Sequence, residues 1–406
     1  MRASALGPCA AFAYVLGCGS APLLAADPAS STGTSSATAR GTGSTAGAPG
    51  DVTFAPQPAE SLTPNEARWV AHCGKPDRAL FAVARDLAAV RAAGGAMPPS
   101  EEITRRVRAA GAPYVWPAAV GLSGTATEAD IVERLRTLRA QVEKDGEARC
   151  GFGLVDKPPA NGFAASQVLV AIAVANVGTF EKLPLHAAPG QWLTATAHFP
   201  AGLRSGSAYL LGPSGTPRSV QTTLSSRKDT LTVRFAPEAD GEYELQMLGD
   251  LGSGPRPLFE ALVVAGKGNA PVSATSASAQ TFSDDEAGVL TRINELRAKY
   301  KTKPLTLDAA LSQVAVAHAN DMTSAKKLAH DVGKGTPDQR VKRAGISLRV
   351  VGENVSYAKG VIAAHEGIER SPSHRANVLR AEFTKVGIGF VREADGMVYL
   401  AEVFGG

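Results

Sequence analysis

Ser371-Pro372-Ser373-His374-Arg375-Ala376-Asn377-Val378-Leu379 is the stretch whose reading decides the fold. Ser371 is a natural helix cap and Pro372 suits the first helical position, so His374 is expected in the first turn of a helix. Upstream lie His330 and Gly352-Glu353-Asn354; downstream lie Val386-Gly387-Ile388-Gly389 and Tyr399-Leu400-Ala401-Glu402-Val403-Phe404-Gly405. Two imidazoles and a carboxylate, set among Gly, Pro and Asn, point to a cavity rather than a uniformly packed core.

Outward from this stretch, the last third reads as a domain over 282–406. Ser283-Asp284-Asp285-Glu286 is expected as a capping box for a helix carrying Leu290, Ile293, Leu296 and Arg297. Asp308 starts a helix with Leu311, Val314, Ala315, His318 and Met322 on one stripe, and Thr336-Pro337-Asp338-Gln339 caps another. Val386–Val391 and Val398–Phe404 read as paired strands around Ala394-Asp395-Gly396.

The set resembles the CAP superfamily (cysteine-rich secretory proteins, antigen 5 and pathogenesis-related proteins) in its bacterial SCP-like form. The matching residues are Asn294-Glu295-Leu296-Arg297, Leu305, Asp308, Leu311, Ala317-His318-Ala319-Asn320-Asp321-Met322, His330, Gly352-Glu353-Asn354, Ser371–Leu379, Val386–Gly389 and Val403–Gly405. The resemblance implies an α-β-α sandwich whose cavity holds His330, Glu353 and His374, with Asn354, Ser371 and Glu402 as further ligand-binding candidates. His330 and His374 are then candidate ligands for zinc or another divalent metal, Glu353 joining them in a three-residue set with an open position. Catalysis by this set is the alternative to a binding or structural cavity, and the latter is preferred. The helix end disfavours a charged His374. His318 is expected as a satisfied core histidine, His365 and Glu366 at the solvent or cavity rim, and Glu402 as an edge-strand charge. The chain departs from the family pattern at Ile368, where Trp is usual, at Glu402, where Gln is usual, and at Leu328, which replaces an aromatic residue.

The rest of the 406 residues has room for two more domains. In residues 60–180 Thr63-Pro64-Asn65-Glu66 is expected to cap a helix, Ser100-Glu101-Glu102 and Thr127-Glu128-Ala129-Asp130 open two more, and strands follow around Cys150-Gly151-Phe152-Gly153 and Ser166–Ala173. Three landmarks repeat those of the last domain: Asp77-Arg78-Ala79-Leu80 echoes Asp308–Leu311, Arg106–Gly111 echoes Arg340–Gly345, and Cys150–Gly153 echoes Val386–Gly389. The expectation is a degenerate CAP-like α/β domain without the His/Glu set; two unrelated α/β domains are the alternative. Between them, residues 183–266 alternate apolar and polar positions at Leu193, Leu231, Tyr243 and Phe259 onward, as in a small immunoglobulin-like β-sandwich. A linker covers 268–281. The fold class is thus multidomain α+β.

Residues 1–26 read as a signal segment, too short to span a membrane as a helix. Val15-Leu16-Gly17-Cys18 resembles a lipobox that would make Cys18 the lipidated first residue; cleavage near Leu24-Ala25-Ala26 is the alternative. Residues 27–58, rich in Ser, Thr, Gly, Ala and Pro, are expected as a tether. Cys73 and Cys150 remain as a disulfide pair in an oxidising compartment, or as two buried thiols. Lys+Arg of 42 against Asp+Glu of 38, without blocks of one sign, argues against nucleic acid as a partner. The expected partner is an envelope ligand or protein. Membrane contact is expected only through the lipid anchor, in the periplasm or at the outer surface, or else the protein is soluble outside the cell.

Overall fold

The computed structural model describes residues 50–124, 126–157, 166–267 and 282–406. The expected leader with Cys18, most of the tether, and the linker 268–281 lie outside the described residues. Within them the chain is a mixed α/β assembly of several sheets.

The first region contains β1 (Asp51–Val52), a 3-10 turn (Ala59–Ser61), α1 (Pro64–Cys73), β2 (Lys75–Pro76), α2 (Arg78–Ala92), α3 (Ser100–Ala109), β3 (Ala118–Gly124), α4 (Glu128–Glu143), β4 (Glu147–Lys157) and β5 (Ser166–Asn176). Thr63 and Thr127 form capping boxes with Glu66 and Asp130. The sheet runs β2-β4-β5-β3. Strand β5 is apolar from Val168 to Ala175 because it is covered twice: Val170, Ile172 and Val174 meet α2 and α3, while Leu169, Ala171 and Ala173 meet α1 and α4. Cys73 and Cys150 are joined as a disulfide between α1 and β4. The end of the expected tether is packed instead: β1 pairs with a strand of the middle region, and Phe54 lies 4.9 Å from the Tyr114 ring and 5.2 Å from that of Phe259.

The middle region has β6 (Thr179–Phe180), β7 (Leu183–Pro184), β8 (His186–Ala187), β9 (Leu193–His198), β10 (Gly206–Leu211), β11 (Arg218–Ser219), β12 (Gln221–Leu224), β13 (Thr230–Phe235), β14 (Gly241–Asp250) and β15 (Pro255–Ala265). One sheet is β11-β10-β14-β15-β8 and the other β12-β13-β9-β6. Alternate residues of both, among them Ala195, Val233, Leu245 and Phe259, share one core.

The last region has α5 (Glu286–Lys299), β16 (Thr306–Leu307), α6 (Ala309–Ala325), α7 (Pro337–Arg343), β17 (Val351–Lys359), α8 (Val361–Arg370), α9 (Pro372–Leu379), β18 (Lys385–Arg392) and β19 (Met397–Gly405). Asp285 caps α5, not a Ser283 capping box; its carboxylate accepts from Gly288 N at 3.0 Å while Ser283 is hydrogen-bonded to Asp285 itself. Strand β17 and helix α8 are additions to the elements expected from sequence. The sheet runs β16-β18-β19-β17, with β16 parallel to β18 and the other pairs antiparallel. The first region's sheet has the same order and directions, β2 being parallel to β4. In both, a helix rests on bare backbone: a Cβ on Gly151 would stand 2.1 Å from Phe81 N, and one on Gly387 would stand 2.0 Å from Leu311 C.

Candidate functional site

Strand β17 turns Glu353 towards α6 and α7, where the carboxylate is wholly buried. His330, in the loop after α6, brings Nδ1 to 2.8 Å from Glu353 Oε1. Because a carboxylate only accepts, Nδ1 carries the proton and Nε2 is left open. Arg340 of α7 pairs with Oε2 and donates to the His330 carbonyl at 2.7 Å. His318 of α6 donates through Nε2 to Ala329 O at 3.0 Å and stands 3.6 Å from Glu353 Oε1. It is a buried histidine, as expected, but it belongs to this carboxylate cluster. Burial opposes ionisation of Glu353, yet the His330 hydrogen bond and the positive groups around it hold its carboxyl below the usual range. Burial lowers His318, with Arg340 and His330 adding repulsion.

His374 stands in the first turn of α9. Ser371 is the cap residue, but its side chain makes no cap hydrogen bond. Gln246 of β14 supplies what is missing: its Oε1 accepts from Ser373 N at 2.9 Å, and its Nε2 donates to Ser371 Oγ at 3.0 Å and to Glu260 Oε1 at 2.5 Å. Glu260 in turn is paired with Arg108 of α3. Arg375, beside His374, donates to Gly215 O at 2.8 Å. A buried polar chain therefore runs from the first region through the middle one to the backbone that carries His374. Burial, with His330 nearby, pulls the His374 imidazole down to about 3. This agrees with the neutral state expected from sequence, though removal from water, rather than the helix end, is its main cause.

His330, Glu353, Ser373, His374 and Asn377 line one side of a cavity of about 470 Å³; Ser207 and Tyr209 of β10 face them. The β14–β15 turn lies against His330: Asp331 N donates to Ser253 O at 3.1 Å, and a Cβ on Gly254, at φ +98°, would meet His330 Cβ at 2.7 Å. Beyond that turn a second cavity of about 100 Å³ also reaches His330 and His374. Among the described residues, Ser373 Oγ, His330 Nε2 and the ring nitrogens of His374 have no hydrogen-bond partner.

The other candidates lie behind the cavity rather than on it. Asn354 is fully buried; its amide donates to His374 O at 3.1 Å and to Glu402 Oε2 at 3.3 Å, and its Oδ1 accepts from Asn377 at 3.0 Å. Ser371 is engaged by Gln246. Glu402 is not an edge-strand charge: β19 is interior to the sheet, and the carboxylate is buried 2.6 Å from His365 Nδ1. His365 is likewise not at a rim. It is fully buried on the inner face of α8, with Nε2 3.0 Å from Glu369, which Arg292 pairs at 2.7 Å. Against the cost of burial, the Glu402 and Glu369 carboxylates raise His365 to about 9, and Glu369 is lowered to about 2. The signal in the sequence is the i, i+4 spacing of His365 and Glu369, which sets both on one face of a helix.

A three-ligand zinc set does not fit these side chains. Both Glu353 oxygens are committed, one to His330 and one to Arg340, and a guanidinium at the carboxylate opposes a cation there. Among the described residues no group of three or more His, Cys, Asp or Glu side chains is placed to hold a metal.

Residues 290–404 match the sequence profile of the cysteine-rich secretory protein family, CAP. The chain is 33% identical over 135 residues to the uncharacterised protein YkwD of Bacillus subtilis, covering 32% of this chain and 51% of that protein. It is 30% identical over 117 residues to the uncharacterised membrane protein YlbC of the same organism, covering 28% of this chain and 33% of that one. The match thus spans about half of one curated relative and a third of the other. Among solved structures, an outer surface protein of Borrelia burgdorferi is similar at 23% identity, with 29% of this chain and 88% of that chain covered and a TM-score of 0.28. An extracellular SCP-domain protein of Bacillus anthracis is similar at 16% identity, with 52% and 64% covered and a TM-score of 0.28. Among the described residues no helix is long and apolar enough to cross a membrane.

Proposed function

We propose that this chain, whose residues 290–404 form a CAP domain of the bacterial SCP-like kind, is an exported envelope protein that binds a ligand in the His330/Glu353/His374 cavity. The observation that carries this reading is the set of unmet hydrogen-bonding groups. Ser373 Oγ is buried without a partner, as buried polar groups rarely are, and His330 Nε2 and the His374 ring, unpaired among the described residues, line the same cavity. A hydroxyl and two imidazoles suit a ligand that offers both donors and acceptors, such as a glycan, a peptide or a lipid headgroup.

Glu353 serves this site indirectly. It fixes the His330 tautomer and turns Nε2 outward, while Arg340 neutralises it. The leader, the lipobox at Cys18 and the extracellular character of similar proteins support export, with anchoring at the membrane through lipid. In this reading residues 60–180 are a degenerate CAP-like domain, and residues 183–266 are an immunoglobulin-like sandwich that closes one side of the cavity of domain 282–406.

The experiment is recovery of small molecules from envelope extract on the full chain, compared by mass spectrometry with His330→Ala/His374→Ala. A species retained by the wild type and lost from the variant is expected. Equal retention, or none, would count against a binding role.

A further inference from the structure

The small cavity beyond the β14–β15 turn is built by all three regions. Its floor is the sheet of the last region, where the buried Tyr357 and Tyr399 rings lie 4.3 Å apart beside Val355. The Tyr357 hydroxyl is taken by Glu393 at 2.6 Å, so Tyr357 presents ring surface rather than a donor. Pro255 and Pro257 of β15 form one wall. The first region closes the cavity with Trp116, whose φ of +47° is rare for any residue other than glycine. At the mouth stand Lys144, Arg256, Lys326 and Lys327 against one lining carboxylate, Asp145. Arg256 lies 3.8 Å from Asp145, and Lys326 pairs with Glu393. Lys327 is exposed and makes no ion pair among the described residues.

We propose that this three-region cleft is a binding site for a small amphiphilic anion, its ring or short alkyl body between Trp116 and the tyrosine pair and its anionic group at Lys327. An apolar interior with a few convergent charges at its edge is the ordinary build of a small-molecule site. The cleft and the larger cavity share His330 and His374, so the inference deepens the cavity reading by giving the ligand an apolar, anionic part. It does not need the imidazoles for its own contacts.

The test uses the full chain labelled with 15N-tryptophan, whose three indole signals come from Trp69, Trp116 and Trp192, titrated with 4-phenylbutyrate and with the neutral 4-phenylbutan-1-ol. The Trp116 signal, assigned through Trp116→Phe, is expected to shift saturably with both probes while the other two stay still. Lys327→Glu, an exposed change that leaves folding intact, should weaken phenylbutyrate about tenfold and leave the alcohol unchanged. No shift at Trp116, equal shifts at all three indoles, or identical phenylbutyrate affinity in Lys327→Glu would overturn the proposal. His330→Ala/His374→Ala separates the two readings: retention of the envelope species by this variant with an intact Trp116 response overturns the cavity and leaves the cleft, whereas loss of the species together with no Trp116 shift in the wild type leaves only the cavity.

Discussion

Two four-stranded sheets in this chain have the same strand order and opposite chemistry. In the last region Glu353 lies opposite Val403, which lies opposite Gly387; in the first region Ala119 lies opposite Ile172, which lies opposite Gly151. By the same register Asn354 corresponds to Val120 and Glu402 to Ala171. His318 stands at the same offset from its capping Asp308 as Leu87 does from Asp77. At these matched positions the last region places two carboxylates, an amide and, on the helix above, an imidazole, where the first has Ala119, Ala171, Val120 and Leu87. Both keep the glycines on which a helix rests. The fold therefore requires the glycine contact and the capping aspartate, and it does not require the charged set. Buried ion pairs seldom add stability over an apolar replacement, so charged groups at positions where the matching sheet is apolar point to a task other than folding.

The shared part should break most severely. Gly151→Val and Gly387→Val each drive a side chain into helix backbone, and each should cost on the order of 5 kcal/mol, read as loss of the cooperative unfolding transition. A variant that tolerates one substitution and not the other would undo the equivalence of the sheets. The unshared part comes next. Glu353→Ala leaves the Arg340 guanidinium without its counter-charge and His330 Nδ1 without its acceptor, and should cost about 3–5 kcal/mol in denaturant unfolding. Replacing the whole cluster by apolar groups, with His318→Leu/Arg340→Met/Glu353→Ala, should return stability to within about 1 kcal/mol of wild type.

The titrations sharpen the contrast further. His365 is raised to about 9, so its contribution is full below its ordinary value of 6.5 and disappears as pH rises through about 9. Glu369, lowered to about 2, contributes above its ordinary 4.5 and loses that as pH falls through about 2. His374, lowered to about 3, is neutral when folded; its contribution is full above 6.5 and declines as pH falls towards about 3. His365→Asn should therefore flatten the stability profile between pH 6.5 and 9, and His374→Asn should flatten it between 6.5 and 3, in unfolding measured across pH. The smallest expected effect is that of Gln246→Leu. Loss of the borrowed cap should cost about 1 kcal/mol and shift the NMR titration of the His374 ring, which a change in bulk stability alone would not move.

Much of this was legible in the chain because it is local. Thr63, Thr127, Asp308 and Thr336 declare their helices through caps a few residues long, and β5 declares its double covering through an unbroken apolar run. His330, Glu353 and His374 came from short motifs, and the structure brings them to one cavity. What could not be read depends on partners far away in sequence. Glu402 looks like a strand charge because nothing near it in sequence names His365 as its partner, and His365 looks peripheral because α8 starts after Gly360, which offers no side-chain cap to announce it. Ser371 was read as a side-chain cap; its hydroxyl is claimed by Gln246, in a different region altogether. The β14–β15 turn against His330 and the place of Trp116 likewise follow from how the regions dock.

The most direct measurement is mass spectrometry of small molecules retained by the full chain and by His330→Ala/His374→Ala, with the unfolding midpoints of both recorded alongside. If the cavity binds a ligand, a species is bound by the wild type and absent from the variant, with both proteins cooperatively folded. Equal retention by two folded proteins would contradict it and return the charged cluster to a structural role.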